Sequence, residues 1–248
     1  MHAVHKLYQI RKSISTREFK ARGAGVKRCE QCRIDQRYCI CSMVKQSPCN
    51  AAFLLLMFDD EVLKPSNTGR LIADVIPDTH AFIWQRTQVS EQLQLLLEDE
   101  KYQPYIIFPE QYAMPGQVVF TDKPQGGDDG KTPLFIVIDA TWRQAKKIFR
   151  KSPYLHHLPL LSFTNNGQGE SSEDSRYHVR KTVKEGHLAT AEVASKALAM
   201  FGFSRSAGLL DRWFDVFSYR YQKWVMQANK GDENAIDNYQ AFIAKEFR

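Results

Sequence analysis

The stretch Asp139-Ala140-Thr141-Trp142 gathers a carboxylate, a hydroxyl and an indole directly behind an apolar run, Leu134-Phe135-Ile136-Val137-Ile138. These groups can serve as base, hydrogen-bond partner and stacking wall. In open α/β folds, ligands sit beyond the carboxyl ends of the strands, which is where this run ends. A plainer account is that Asp139 or Thr141 caps the next helix and Trp142 packs on the sheet. Arg143, Lys146, Lys147 and Arg150 follow at three- and four-residue spacings and read as one basic helix face.

A second cluster is Cys29-x2-Cys32-x6-Cys39-x-Cys41, four of the five cysteines in thirteen residues. Thiolates at this density favour a tetrahedral zinc site over disulfides in a cytoplasmic chain. Four sulfurs leave no open position for water, so the role expected is structural. A redox pair would need a thioredoxin-like βαβ pattern, which is not evident. Lys27, Arg28, Arg33 and Arg37 flank the cysteines and would offset their charge. Cys49 reads as a packed free thiol.

Three further groups carry polar chemistry. Ser66, Asn67 and Thr68, between Pro65 and Gly69-Arg70, offer side-chain hydrogen bonds at a helix start, where free N–H groups also point outward. Ile106-Ile107-Phe108 stops abruptly at Pro109-Glu110. Tyr177-His178-Val179-Arg180 precedes Leu188-Ala189-Thr190-Ala191-Glu192. Thr190 reads as a cap with Glu192 in the first turn, and Arg180 can hold a carboxylate bidentately.

Positioning these residues requires alternating elements. Strands are expected at 51–57, 80–84, 105–108, 133–138 and near 158–163. Helices are expected at 68–76, at 90–102 with Ser90 as cap, and at 142–151, 189–202, 209–227 and 232–246. Residues 121–132 and 165–174 read as polar, Gly-rich loops. The pattern predicts an α/β fold with a parallel sheet. Three regions follow: a basic, loosely held segment (1–28), a four-cysteine knuckle (29–49) and a catalytic domain (50–248). No Gly-x-Gly-x-x-Gly, Walker loop or Gly-x-Ser-x-Gly elbow is present, so nucleotide binding of the usual kinds is not expected.

The net charge is +6 over 248 residues. Residues 1–50 hold eleven Lys and Arg against three acids, an asymmetry suited to a polyanion such as nucleic acid. No run approaches the ~20 apolar residues of a membrane span. The first residues lack the apolar core of a secretory signal, so a cytoplasmic, non-membrane location is the expectation. A monomer is expected.

Taken in order, the knuckle, Ser66-Asn67-Thr68-Gly69-Arg70, the strand ending at Pro109, Asp139-x-Thr141-Trp142, Tyr177-x-x-Arg180 and Thr190-x-Glu192 resemble the DTW-domain family. The resemblance spans roughly residues 29 to 202. Two departures stand out: Asp59-Asp60 replaces a His-Pro pair often found before the Glu, and Val193 replaces a small residue. The first weakens any role for the 59–61 turn.

Bacterial members of this family are tRNA-uridine aminocarboxypropyltransferases. The resemblance therefore implies a SPOUT-like sheet with a trefoil knot on its C-terminal side. Knots are rare, and nothing in periodicity reveals one. It also implies S-adenosylmethionine as donor and tRNA as partner, with N3 of a variable-loop uridine as acceptor.

Asp139 would be the base, Thr141 would orient it or bind the donor, and Trp142 would wall a ring or the sulfonium. The donor would contact Asn67, Thr68, Gly69, Pro109, Arg180, Thr190 and Glu192. Zinc would sit on Cys29, Cys32, Cys39 and Cys41. Arg28, Arg33, Arg37, Arg143, Lys146 and Lys147 would meet RNA. Two other readings remain: an RNA methyltransferase using the same donor, and an RNA-binding knuckle module without chemistry.

Overall fold

The computed structural model describes residues 1–17, 19, 25–124, 130–163, 175–177, 188–225 and 228–247. The expected loop at 165–174 lies outside them. Strands are β1 (Ala52–Met57), β2 (Thr79–Ile83), β3 (Tyr102–Ile107), β4 (Val119–Phe120), β5 (Thr132–Asp139) and β6 (Leu160–Leu161). Helices are α1 (Ala3–Ser13), α2 (Gly69–Val75), α3 (Glu91–Glu98), α4 (Trp142–Arg150), α5 (Thr190–Met200), α6 (Ser204–Val225) and α7 (Ala235–Glu246).

The strands form one six-stranded parallel sheet in the order β2-β1-β5-β3-β6-β4. β1 and β5 are buried along their whole length. Their unbroken apolar sequences follow from this, because helices cover both faces of the sheet. Alternate side chains enter opposite layers. Phe53, Leu55, Met57, Phe135 and Val137 meet residues of α2, α5, α6 and α7. Ala52, Leu54, Leu56, Leu134, Ile136 and Ile138 meet Leu93 of α3 and Ala145, Ile148 and Phe149 of α4.

Register sets the functional edge. Met57 pairs with Asp139, and Ile107 pairs with Val137. The carboxyl ends of β1 and β5 therefore finish level, β3 stops two residues short of them, and Pro109, two residues past β3, stands in sequence opposite that end. The segments that follow, 58–68, 109–113 and 140–142, emerge side by side.

Four elements differ from expectation. Residues 3–13 are not a loose segment but a helix seated against α2 and β2, with Val4 and His5 buried. Asp74 of α2 anchors it, accepting from His2 Nε2 at 3.2 Å and from Trp213 Nε1 of α6 at 3.0 Å. α3 is capped by Ser90 as expected, but it ends at Glu98. There the Asp99 side chain takes the Lys101 N–H and starts β3 early. α6 begins at Ser204, five residues before the apolar pattern suggests. Gly208 lies within it where a methyl group would sit 2.8 Å from the Phe242 ring, so the glycine admits α7 rather than ending a helix. The short strand β4 has no sequence signature.

Candidate functional site at the carboxyl edge of the sheet

Asp139 ends β5 and is 2% exposed. Its side chain continues the alternation of Phe135 and Val137 and so faces the layer of α2 and α5. Asn67 Nδ2 donates to Oδ2 at 2.7 Å, and Thr190 Oγ1 donates to Oδ1 at 2.7 Å. The Phe58 N–H binds the Asp139 carbonyl at 3.1 Å, tying β1's exit to β5's end. One carboxylate thus joins three segments far apart in sequence.

The segment before α2 is built to reach it. Asn67 N donates to the Lys64 carbonyl and Asn67 Oδ1 accepts from Arg70 N, closing a turn that covers one orphan N–H of α2. The remaining carboxamide N–H groups point at carboxylates: Asp139, and Glu61 Oε1 at 3.2 Å. Glu61 is fully buried and also accepts from Lys64 Nζ at 2.8 Å. Gly69 is a steric requirement, since a methyl group there would lie 2.3 Å from Asp139 Oδ2. Tyr177 OH donates to the Ser66 carbonyl at 2.6 Å.

Thr190 is presented by the start of α5, and Glu192 fixes that start. Its carboxylate accepts from Ala189 N at 2.7 Å, Ser175 Oγ at 2.6 Å and Arg176 N at 2.9 Å. Arg176 in turn grips Asp211 and Asp215 of α6. Burial, more than any neighbouring charge, pushes the Asp215 carboxyl up to about 6.

The other two members of the 139–142 group lie apart from this cluster. Thr141 is exposed, and its N–H and hydroxyl both donate to Gln144 Oε1 at the start of α4, which is the capping role. Trp142 belongs to the layer of α3 and α4, stacked on Phe108 at 5.5 Å and met edge-on by Tyr112. Lys146 Nζ lies 5.8 Å from both the Trp142 and Tyr112 rings. Pro109 opens the turn carrying Tyr112, so this aromatic group borders the strand edge.

The structure therefore gathers Asp139, Asn67, Thr68, Gly69 and Thr190, and sets Thr141 and Trp142 beside them at the head of α4. Arg180 and His178 lie outside the described residues. Sequence reading gave no role to Glu61, whose turn it discounted and which buries a carboxylate against Asn67, nor to Tyr177, quoted only as part of a motif, whose hydroxyl binds the Ser66 carbonyl. An acid six residues before the Asn was the available signal.

The cysteine cage forms in the knuckle. Sulfur separations are 3.6 Å (Cys29–Cys41), 3.8 Å (Cys32–Cys39) and 3.6 Å (Cys39–Cys29), and all four lie within 4.8 Å of one another. A tetrahedron of ~2.3 Å zinc–sulfur bonds has edges of about 3.8 Å. The donor set and spacing therefore fit a tetrathiolate zinc ion. Arg33, at φ +59°, closes the turn, so that Cys29 N meets the Ile34 carbonyl at 2.8 Å.

Burial opposes ionisation at Cys29, yet the Cys32 and Gln31 N–H groups together with the Cys39 and Cys41 thiols bring it down to about 7. Burial pushes Cys32 up to about 11 and raises Cys41 as well. A metal ion would bring all four to thiolate.

The six cations expected at RNA divide over the molecule. Arg28 and Arg37 flank an aromatic strip: Arg28 over Tyr221, Arg37 over Tyr38, and Lys223 over Tyr38 and Tyr219. The contributions of Tyr219 and Lys223 from α6 had no sequence signal. Arg33 is turned inward instead, 3% exposed, donating to the Val62 carbonyl and lying over Tyr8. Arg143, Lys146 and Lys147 are exposed on α4, with Arg150. That helix covers the sheet face opposite the knuckle's buried Cys32 and Ile34.

A parallel α/β sheet with a carboxylate at its carboxyl edge, an Asn-Thr-Gly turn against it and a four-cysteine knuckle defines one class of protein. Residues 26–222 match the DTW domain, and the chain belongs to that family.

Two relatives are named tRNA-uridine aminocarboxypropyltransferase 2. The one from Drosophila melanogaster is 24% identical over 70% of this chain and 66% of its own length. The one from Macaca fascicularis is 25% identical over 69% of this chain and 55% of its own length. The chain thus spans about two thirds and about half of these relatives. No solved structure matches it. Among the described residues, no helix is long and apolar enough to cross a membrane.

Proposed function

We propose that this chain transfers the 3-amino-3-carboxypropyl group of S-adenosylmethionine to N3 of a uridine in the variable loop of tRNA. The observation that carries the reading is the buried Asp139 carboxylate, held by Asn67 and Thr190 at the carboxyl edge of the sheet. The family and the names of the two relatives supply the reaction class. A SPOUT-like class with a C-terminal-side knot is part of the proposal, and the parallel sheet supports it.

The donor supplies an electrophilic carbon on a sulfonium. As N3 of the uridine forms its bond to that carbon, the carbon–sulfur bond breaks. The electron pair stays on sulfur as neutral 5′-methylthioadenosine, and the N3 proton must leave. Asn67 donates to one oxygen of Asp139 and Thr190 to the other, and a carboxylate oxygen, with more than one lone pair, is a group that can take up a proton. Asp139 is the acceptor in this reading. In this reading Asn67, Thr68, Gly69, Pro109 and Thr190, on the strand-edge turns and the start of α5, would contact the donor, with Glu192 fixing Thr190 and Arg180 assigned to the donor carboxylate or a phosphate. The Phe108–Tyr112–Trp142 surface would receive a planar ring. Reaching N3 requires an unpaired or flipped uridine.

The cage would hold structural zinc, and its basic, aromatic surroundings would follow the tRNA backbone, as alternating cations and rings do on nucleic acids.

A second reading rests on one observation, the near-complete burial of Asp139. In it the carboxylate positions Asn67 and Thr190 and takes no proton.

Product analysis by mass spectrometry with tRNA and S-adenosylmethionine tests the reaction. Methylthioadenosine with aminocarboxypropyl-uridine is expected. S-adenosylhomocysteine would mean methyl transfer instead, and binding without turnover would mean an RNA-binding module. Asp139→Asn separates the two roles: lost turnover with intact donor binding supports the base, and lost donor binding supports the positioner.

A further inference from the structure

The buried Asn67 carboxamide is held by groups that each dictate its orientation. Its Oδ1 accepts from Arg70 N at 3.1 Å, while its Nδ2 donates to Asp139 Oδ2 at 2.7 Å and to Glu61 Oε1 at 3.2 Å. Turned over, the amide would set its oxygen against two carboxylates and its own N–H groups against the Arg70 N–H. Capping α2 uses only Oδ1, so the second carboxylate is not explained by the helix start. Glu61 is fully buried, and its other oxygen accepts from Lys64 Nζ at 2.8 Å. An ionised carboxylate that deep is costly unless paired, and Lys64 supplies the pair. The turn carrying Glu61 is fixed in its own right. Glu61 N donates to the Phe58 carbonyl at 2.9 Å, Phe58 N donates to the Asp139 carbonyl, and Arg33 of the knuckle donates to the Val62 carbonyl.

We propose that Glu61, charge-balanced by Lys64, is a positioning residue for Asp139: by holding one N–H of Asn67 it fixes the other on the Asp139 carboxylate. Because Lys64 balances its charge, Glu61 acts on Asp139 through alignment. The inference rests on the reading of Asp139 as the proton acceptor.

Glu61→Gln leaves one oxygen to serve two donors. The Lys64 ammonium takes it, because hydrogen bonds to ionised groups are the stronger, and the new NH2 group then faces the N–H of Asn67. Single-turnover formation of aminocarboxypropyl-uridine, with both substrates saturating, is expected to fall about 10–100-fold, the cost of loosening a reacting group, with S-adenosylmethionine affinity within about threefold of the parent. Glu61→Gln combined with Lys64→Met removes the competing ammonium and lets the amide oxygen turn to Asn67. The rate of the double variant is therefore expected to return to within about fivefold of the parent. The side-chain amide signals of Asn67 in heteronuclear NMR, assigned by their absence in Asn67→Ser, report the same contact without turnover. They are expected to move in Glu61→Gln and to return in the double variant.

A Glu61→Gln rate within about threefold of the parent overturns the inference. So does a double variant as slow as the single one, because the ion pair then serves stability alone. Lost S-adenosylmethionine affinity with an unchanged single-turnover rate overturns it too, since Glu61 then serves the donor. Should Glu61→Gln fold poorly, the double variant, a neutral pair, carries the test: a rate within that fivefold supports the inference and a slower one overturns it. A parent protein that makes no aminocarboxypropyl-uridine overturns the proposed function instead. The Asn67 signals then decide the positioning alone: moved in Glu61→Gln they support it, unmoved they overturn it.

Discussion

Gly69→Ala tests the central geometry with one methyl group. That group would begin 2.3 Å from Asp139 Oδ2 and 2.9 Å from its Cγ, whereas ordinary contact starts at 3.4 Å. Both the α2 start and the β5 end are held by backbone bonds, so the carboxylate must give way by about 1 Å. A shift of that size breaks its 2.7 Å bond from Asn67 or from Thr190.

The lost buried bond costs about 1–3 kcal/mol. Alanine returns up to ~1 kcal/mol of helix propensity. The net loss of stability is therefore small, about 0–2 kcal/mol. Activity should fall much further, because misplacing a reacting group by ~1 Å costs on the order of 100-fold. Urea denaturation and single-turnover formation of aminocarboxypropyl-uridine measure the two effects separately. A Gly69→Ala protein whose turnover stays within about threefold of the parent would refute the argument that this contact sets the chemistry.

Glu192→Gln replaces one acceptor oxygen with a donor facing Ala189 N, Ser175 and Arg176 N, so stability should drop by about 1–3 kcal/mol, read from urea midpoints. Lys223→Glu reverses a cation over Tyr38 and Tyr219, and should weaken tRNA binding and lower the salt dependence by about one phosphate contact without altering the fold. The raised Asp215 carboxyl binds its proton more tightly folded than unfolded. Its contribution is therefore fully present below 3.8 and is lost as pH rises through about 6, worth up to about 3 kcal/mol across that window. Asp215→Asn should flatten the stability–pH curve between about pH 4 and 6, and an unchanged curve would remove burial as the cause.

Much of the frame was legible in the chain. The apolar run 134–138 read as a strand, and that reading put Asp139 at its carboxyl end. The cysteine spacing specified a cage, and the three- and four-residue spacing of the α4 cations specified an exposed face. Less legible was α1, because a helix with only Val4 and His5 buried leaves too weak a pattern to separate from a polar tail. Thr141 and Trp142 read equally well as chemistry or as capping and packing.

The sequence by itself determined which residue types stand at the strand ends, because alternation and apolar runs are local properties of the chain. Only the tertiary structure decided which of them meet. Asn67 and Thr190 reach Asp139 across 72 and 51 residues, through strand register and the entry of α2 and α5. It also decided which cations face water. Arg33 and Arg37 stand four residues apart beside the same cysteines, yet one is buried over Tyr8 and the other lies exposed over Tyr38. The reason is physical: burial is set by what packs against a residue, and those partners come from distant parts of the chain.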